Sequence, residues 1–248
     1  MNSPFSLDGK RILVTGASSG IGRAIAIACA NMGASVIITA RNKEYLNDTF
    51  NKMSCGKHII ITADITDEVQ RLALVKQLPT LDGIVHCVGV GSRVPCKNIE
   101  QGDIDFIMQP NFNAPVLLQS EILSNKKINR DASIVFIASR AAMMPSVGNA
   151  IYSASKGAII SYAKCLALEL SKRKIRVNCI CPAMVWTELA IKTISIEQLK
   201  ESEKHYPLQR YGSPEDIAYL AVYMLSNASS WMTGSCVDIT GGGEGILA

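Results

Sequence analysis

Residues 11–22 read RILVTGASSGIG, and this stretch decides the fold. Its first five residues form a short apolar run that predicts a buried strand. A glycine-rich turn then leads into an apolar helical pattern that continues to Met32. Strand, glycine turn and helix form the first half of a dinucleotide-binding unit, because glycine lets a pyrophosphate approach the amides at a helix N-terminus. The stretch therefore predicts a doubly wound, Rossmann-type α/β fold with helices on both faces of a parallel sheet.

Six further strand patterns follow along the chain, which makes a seven-stranded sheet. They cover residues 36–39, 58–63, 83–87, 133–138, 176–181 and 235–240. No linker or change in composition divides the 248 residues, so we expect a single domain over 1–248. A content of 48% hydrophobic and 19% charged residues is enough for a large core and argues against disorder.

Charge and hydropathy patterns exclude several classes of protein. The 25 basic and 21 acidic residues are nearly balanced and scattered, which gives no indication of nucleic-acid binding. Met1 to Arg11 contain no apolar core of signal-peptide length, and no apolar run reaches the roughly 18 residues that a membrane span needs. We therefore expect a soluble, cytoplasmic protein that does not enter a membrane.

The eight cysteines, at positions 29, 55, 87, 96, 165, 179, 181 and 236, raise the alternatives of a disulfide scaffold and a metal site. Most of them lie inside apolar runs. This placement favours buried thiols in a reducing compartment, and we predict no metal site.

The end of the second strand bears on the choice of cofactor. A carboxylate there would hold a ribose 2′-hydroxyl, whereas an arginine would accept a 2′-phosphate. The chain has Ala40 and Arg41 at this point, which favours NADP over NAD. The alternative is that Arg41 is a solvated loop residue.

Two further strand ends carry candidate binding residues. Asp64 and Ile65 follow the third strand, where ligands bind in such sheets, although a helix cap alone would explain the residue types. Gly89 follows the fourth strand and allows a second close approach of the backbone to a ligand. It is equally compatible with an ordinary turn.

Tyr152 and Lys156 are the most informative pair of reactive side chains. They lie four residues apart in a helical pattern that extends to about Lys172, so phenol and ammonium share one face of the helix. A neighbouring cation favours the phenolate, which would allow Tyr152 to act as a general acid or base. The alternative is a packed ring beside a solvated ammonium group.

Ser139 and Asn111 are candidates for supporting roles. Ser139 ends the fifth strand, from which its hydroxyl can donate to a developing oxyanion. No histidine is suitably placed to activate it, which argues against a serine hydrolase. Pro110 and Pro115 should bend or break the helical pattern over 101–124, and Pro115 leaves the Asn111 carbonyl without an α-helical donor. The alternative for Asn111 is a local helix cap.

The segment at about 186–210 mixes polar and bulky apolar residues after the sixth strand, and we predict a substrate lid there. Other residues near strand ends are expected to shape a partly apolar pocket: Met143, Met144, Asn149, Met184 and Trp186.

Together these residues resemble the classical short-chain dehydrogenase/reductase family, from about Leu7 to Gly243. Residues 15–22 match the family's T-G-x-x-x-G-x-G, residues 182–187 resemble its P-G-x-x-x-T, and Thr233-Gly234 with the terminal glycines resembles its C-terminal signature. Four residues fall on the family's catalytic tetrad in the expected order and spacing: Asn111, Ser139, Tyr152 and Lys156.

The resemblance implies a role for each residue. Tyr152 would be the acid/base and Ser139 would steady the substrate oxygen. Lys156 would hold the nicotinamide ribose and favour the ionised form of Tyr152, and Asn111 would bind a relay water through its main chain. Asp64 and Ile65 would contact adenine, Gly89 the adenosine ribose region, and Val185 with Thr187 the carboxamide. The implied cofactor-binding residues are Gly16, Ser18, Ser19, Gly20, Ile21, Gly22, Arg41, Asp64, Ile65, Gly89, Tyr152, Lys156, Pro182, Val185 and Thr187.

Several positions depart from the family pattern. The run His86-Cys87-Val88-Gly89 replaces the usual N-N-A-G, so the hydrogen bonds that brace the sheet there must be made differently. Ala183 replaces a glycine, Thr240 replaces an aspartate, and Pro110 is unusual before the relay asparagine. No tetrad residue is lost, so we expect activity.

The main hypothesis is an NADPH-dependent carbonyl reductase, closest in pattern to 3-oxoacyl-acyl-carrier-protein reductases. Basic residues could meet an acidic carrier protein, or belong to an ordinary solvated surface: Lys126, Lys127, Arg130, Lys172, Arg173 and Lys174. One alternative is a sugar or secondary-alcohol dehydrogenase that works in the oxidising direction. Another is a nucleotide-binding regulatory protein without turnover. The resemblance also implies a homotetramer, built partly through the helices that carry Asn111 and Tyr152.

Overall fold

In the computed structural model, which describes residues 3–193 and 195–243, the described strands form one seven-stranded parallel sheet. The strands are β1 (Arg11–Thr15), β2 (Ser35–Ala40), β3 (Ile59–Thr62), β4 (Leu81–His86), β5 (Ile128–Ile137), β6 (Arg176–Pro182) and β7 (Cys236–Ile239). Their order is β3-β2-β1-β4-β5-β6-β7. The chain starts in the middle of the sheet, builds one half and then crosses to build the other, which confirms the predicted doubly wound topology.

Helices cover both faces of this sheet, as predicted. In the described part of the chain they are α1 (Gly20–Asn31), α2 (Lys43–Asn51), α3 (Glu68–Gln77), α4 (Gln101–Met108), α5 (Ala114–Ser124), α6 (Ala150–Leu170), α7 (Glu188–Thr193), α8 (Ile196–Glu203) and α9 (Pro214–Leu225). The α9 helix begins with a capping box, in which the Ser213 hydroxyl accepts from the Asp216 amide and the Asp216 carboxylate accepts from the Ser213 amide.

Two hydrophobic cores form because side chains alternate along each strand. On β1, Leu13 points into a core with α3, α5 and α6, whereas Ile12 and Val14 point into a core with α1, α2 and α9. The strands are apolar on both faces, which is typical of a parallel sheet covered on both sides. The sheet is therefore buried, and ligands can reach it at the strand ends.

The fifth strand begins earlier than its sequence pattern indicates. The prediction started at residue 133, but β5 starts at Ile128 and its pairing with β4 shifts register between Leu81 and Gly83. After Ile128, the next three residues of β5 are polar, and Asn129 donates to Asp82 Oδ1 at 2.6 Å. This contact between distant residues holds a segment in the sheet that has little intrinsic strand propensity.

Only part of the cysteine prediction is correct. All eight thiols are free, and Cys29, Cys179 and Cys181 are buried. Cys165 and Cys236 are among the four that are exposed, together with Cys55 and Cys96. Apolar neighbours in sequence did not predict burial for Cys165, because it lies on the outer side of α6. Within residues 3–193 and 195–243, no helix combines the length and apolar character that crossing a membrane requires.

Candidate active site

A cavity of about 1030 Å³ opens at the carboxyl ends of the strands. It is lined by all but one of the predicted catalytic and cofactor-binding residues: Gly16, Ser18, Ser19, Gly20, Ile21, Gly22, Arg41, Asp64, Ile65, Gly89, Ser139, Tyr152, Lys156, Pro182, Val185 and Thr187. Asn111 is the exception, since it is buried beside the cavity and does not line it. The volume is of the size that ligand sites occupy in proteins.

The glycine turn between β1 and α1 leaves no room for a side chain at Gly16 or Gly22. Gly16 has φ +67°, and a Cβ there would lie 3.0 Å from the Cys87 carbonyl oxygen. At Gly22 a Cβ would lie only 2.2 Å from the Gly16 carbonyl oxygen. The Ser19 side chain makes no capping bond at the start of α1, and the first turn contains no acidic residue. The turn therefore fits a pyrophosphate, with amides and the helix dipole directed at it.

One end of the cavity is formed by the ends of β2 and β3. Arg41 Nη1 lies 4.0 Å from Asp64 Oδ2, and the Arg41 side chain is 76% exposed. Asp64 Oδ1 also accepts from the Thr66 amide and hydroxyl, at 2.9 and 2.7 Å. The cap of α3 is Asp67, whose Oδ1 accepts from the Gln70 amide at 2.8 Å. Capping of α3 therefore does not explain Asp64, which faces the cavity instead.

Asn111 lies in a π-helical turn, Gln109–Asn113, that separates α4 from α5. The two prolines break the α-helical pattern as predicted, because Pro115 has no amide hydrogen for the Asn111 carbonyl. The buried Asn111 side chain accepts from the Val90 amide at 2.8 Å and donates to the Val90 carbonyl at 3.0 Å. It also donates to Ser155 Oγ at 3.1 Å. This one amide group joins the loop after β4 to α6.

Lys156 is buried at the other end of the cavity. Its Nζ donates to the carbonyl of Ile137, the last residue of β5, at 2.9 Å, and lies 5.8 Å from the Tyr152 ring centroid. A Cβ added to Gly89 would lie 3.3 Å from Asn111 Oδ1 and 3.4 Å from this Nζ, so Gly89 packs closely against both side chains. The predicted side-by-side placement of phenol and ammonium is therefore present.

Ser139 caps the short 3₁₀ turn that follows β5. Its Oγ accepts from the Ala141 amide at 3.1 Å, which leaves the hydroxyl hydrogen free to donate. Both Ser139 and Tyr152 are half-buried and line the cavity. None of the three histidines does so, in keeping with the argument against a serine hydrolase.

His86 replaces the bracing asparagine of the family pattern with a different contact. Its ring stacks on Phe136, with centroids 4.6 Å apart, and its Nε2 lies 3.0 Å from Gln119 Oε1 on α5. Burial lowers the pKa of His86 to about 4, although the Gln119 hydrogen bond acts in the opposite direction. The neutral ring thus links β4 to α5 just before the loop that contains Gly89.

The pocket prediction is correct for some residues and wrong for others. Met144, Asn149 and Met184 line the cavity, together with Tyr206 from the predicted lid. Met143 and Trp186 do not line it. Trp186 instead packs on Tyr211, with ring centroids 5.6 Å apart, and its Nε1 donates to Glu203 Oε1 at 2.7 Å. The lid prediction over 186–210 covers α7 and α8 and includes Ile194, which lies outside the described residues.

Several cavity residues were missed by the sequence analysis: Thr39, Asn42, Tyr45, Arg93, Gln109 and Ser146. Arg93 and Ser146 lie in the loops after β4 and β5, so their position beyond strand ends was a usable signal. Gln109 belongs to the π turn, which no local pattern predicted.

The predicted basic cluster lies away from the cavity. Lys126 and Lys127 precede β5, and Lys172 to Lys174 precede β6, which places them at the amino ends of parallel strands. The cavity lies at the opposite, carboxyl ends. Within one chain this cluster therefore does not border the cavity.

Comparisons with known proteins give a consistent result. A family described as enoyl-(acyl carrier protein) reductase matches residues 16–244. The 3-oxoacyl-[acyl-carrier-protein] reductase of Rickettsia prowazekii is 31% identical over 96% of this chain and 98% of that protein. Glucose 1-dehydrogenase of Gluconobacter oxydans is 33% identical over 94% of this chain and 91% of that protein. A 7α-hydroxysteroid dehydrogenase structure with NADH and 7-oxo glycochenodeoxycholic acid covers both chains fully, with 29% identity and a TM-score of 0.91.

The lowered pKa of His86 predicts a loss of stability in acid. Between pH 6.5 and about 4 the unfolded chain binds a proton that the folded protein does not, so each step down in pH favours unfolding. We expect the free energy of unfolding to fall by about 3 kcal/mol from this group across that window. Urea denaturation at pH 7 and pH 5 should show a smaller difference for His86→Asn than for the wild type. The exposed His205→Asn variant is the control, and an equal difference in all three proteins would contradict the prediction.

Proposed function

We propose that this chain reduces a ketone with NADPH. The proposal starts from the family: the chain belongs to the short-chain dehydrogenase/reductase family and is an NAD(P)-dependent oxidoreductase. The observation that carries the proposal is the content of one cavity. The glycine turn and Arg41 lie in it together with Ser139, Tyr152 and Lys156. A phosphate-binding turn and a proton donor are thus combined in a single site.

The cofactor would be held along the carboxyl ends of the strands. Residues 16–22 would hold the pyrophosphate, Asp64 and Ile65 the adenine, and Gly89 the adenosine ribose region. Val185 and Thr187 would contact the carboxamide, and Pro182 would contact the cofactor nearby. The nicotinamide, when bound, supplies the hydride. Arg41 is proposed to bind the 2′-phosphate, since its exposed guanidinium contacts Asp64 only at 4.0 Å and retains free donors.

Tyr152 is proposed to transfer the proton. Its hydroxyl would donate to the ketone oxygen, while the free hydrogen of Ser139 donates to the same oxygen and stabilises charge there. Lys156 is held by the Ile137 carbonyl, so that its two remaining hydrogens can bind a ribose hydroxyl. The Asn111 main chain would hold a relay water, because Pro115 provides no donor to its carbonyl.

A dehydrogenase that oxidises a sugar or secondary alcohol is the second candidate. The similarity to a glucose 1-dehydrogenase supports it, since that relative is about as similar as the 3-oxoacyl reductases. Reduction of 3-oxoacyl thioesters on a carrier protein is compatible with the same site. The position of the basic cluster, at the opposite end of the sheet, gives this substrate no specific support within one chain. A cytoplasmic location remains a prediction from the sequence.

A homotetramer is proposed through α5 and α6. Leu117 on α5 and Leu168 on α6 are 42% and 77% exposed, and Phe106 on α4 is 56% exposed. Exposed apolar side chains on these helices are compatible with the proposed interface.

Replacement of Tyr152 tests the catalytic proposal. We expect Tyr152→Phe to lower kcat for ketone reduction by about 10²–10⁴, because the proton donor is lost while the ring remains. NADPH binding should persist in a fluorescence titration. Tyr162→Phe is the control, because Tyr162 lies on the same helix as Tyr152 but its ring packs on Phe136 of β5. Full activity of Tyr152→Phe would refute the assignment, and NADPH binding without turnover of any carbonyl compound by the wild type would favour a regulatory protein.

Replacement of Arg41 tests the cofactor preference. We expect Arg41→Ala to weaken NADPH binding roughly tenfold, a modest loss because the guanidinium is exposed, and to leave NADH binding unchanged. Calorimetric dissociation constants would measure both effects. Lys52→Ala, a charge change at the far end of α2, is the control. Tighter binding of NADH than NADPH by the wild type would show that the role given to Arg41 is wrong.

Light scattering tests the proposed assembly. We expect a particle of four times the 26.7 kDa chain mass. Leu168→Asp should reduce this mass by placing a charge in an apolar interface. Val69→Asp, at an equally exposed position on α3, should not. A monomeric wild type at working concentration would remove the claim.

A further inference from the structure

The loop that follows β4 is tied to the loop that precedes Tyr152. The Val94 amide donates to the Gly148 carbonyl at 2.8 Å. A Cβ on Gly148 would lie 3.6 Å from the Cβ of Arg93, so the two backbones are in contact. Arg93 is therefore fixed beside the segment that joins Ser139 to Tyr152, at the reacting end of the cavity rather than at the Arg41 end.

Arg93 carries an unpaired positive charge into this end. Arg140 also lines the cavity, but its Nη1 is held by Asp238 Oδ2 at 2.7 Å. In the described part of the chain, the Arg93 guanidinium has no carboxylate within 4.0 Å and no hydrogen-bond partner. Glu188 lines the cavity too but does not pair with Arg93. The five donors of this guanidinium are thus available to a ligand.

Two neutral donors lie in the adjoining segment. The Ser146 hydroxyl is buried and has no partner among the described residues, although it lines the cavity. A buried hydroxyl without a partner is costly, and a ligand atom would relieve that cost. The Asn149 side chain also lines the cavity and does not cap α6, although the residue stands at its start. Arg93, Ser146 and Asn149 therefore present unused donors from two loops that are bonded together.

We propose that Arg93, Ser146 and Asn149 form an anion subsite, which binds a carboxylate or phosphate group of the substrate while the ketone lies at Tyr152. A planar guanidinium recognises either oxyanion with two parallel hydrogen bonds. Met144 and Met184 line the cavity as well and suit an apolar body between the two polar ends. The substrate class is then a ketone with an apolar body and an anionic group. This inference rests on the proposed function for its placement of the ketone.

Three aryl ketones with the same acetylphenyl body test the subsite: 4-acetylbenzoate, its neutral isostere 4-acetylbenzamide, and 4-acetylphenyl phosphate. Calorimetry on the NADP⁺-loaded protein, which cannot reduce a ketone, gives dissociation constants, and initial rates with NADPH give KM and kcat. We expect at least one anionic ketone to bind the wild type about tenfold more tightly than the amide. Which of the two binds more tightly shows whether the subsite prefers a carboxylate or a phosphate group. Higher ionic strength should weaken only the anionic ketones.

Arg93→Gln should abolish the preference by weakening the binding of the anionic ketones, and Ser146→Ala should reduce the preference in part. Arg93→Lys should retain some of it, because the charge remains without the bidentate geometry. Arg130→Gln, an exposed arginine at the amino ends of the strands, is the control and should retain all of it.

Equal binding of all three ketones to the wild type, or no binding of any, would overturn the subsite. An equal loss for all three in Arg93→Gln would do so too, since it would indicate a structural role. An Arg93-dependent preference without any reduction would support the subsite and count against the reductase. Reduction of the amide without an anion preference would do the opposite.

Discussion

The buried amide of Asn111 holds the reacting half of the molecule together. It bonds both polar atoms of the Val90 backbone and reaches Ser155 on α6, so three segments distant in sequence meet at one side chain. Inside the protein such bonds are stronger than in water, and leaving any of them unmade is expensive. Asn111 makes these bonds from the π turn between α4 and α5. Tyr152 and Lys156 lie on either side of Ser155 on α6, so the bond from Asn111 to Ser155 helps to fix both side chains.

The fold and the cofactor-binding side of the cavity could be predicted from the sequence, for reasons that are local. The glycine spacing at 16–22 has few physical uses other than a phosphate turn, and apolar runs between glycines and helical patterns indicate parallel strands. A parallel doubly wound sheet then brings every strand end to one edge. The positions of Arg41, Asp64, Ser139 and Pro182 in the cavity follow from that topology alone.

What could not be predicted depends on contacts between distant residues. The sequence predicted that Trp186 lies in the pocket. Instead, the Glu203 carboxylate accepts from the Trp186 indole nitrogen and from the Tyr211 amide. The indole ring therefore packs against a small separate core that contains Tyr211. His86 was a visible departure from the family pattern, but its partner Gln119 is on another element. The early start of β5 depends in the same way on Asp82. Local propensity carries no information about such pairs.

The contact between Gly22 and the Gly16 carbonyl has a consequence for how this protein can change over generations. A side chain at position 22 would strike a main-chain oxygen, and trimming a neighbouring side chain cannot remove that atom. In genetic terms, a lesion at position 22 should have no second-site suppressor in the surrounding core, and selection for restored activity should recover true revertants. Elsewhere in the cavity wall, as at Met144 or Met184, one flexible side chain can be exchanged for another. Substitution is therefore tolerated along the wall, where it can change the substrate range, and is not tolerated at the turn.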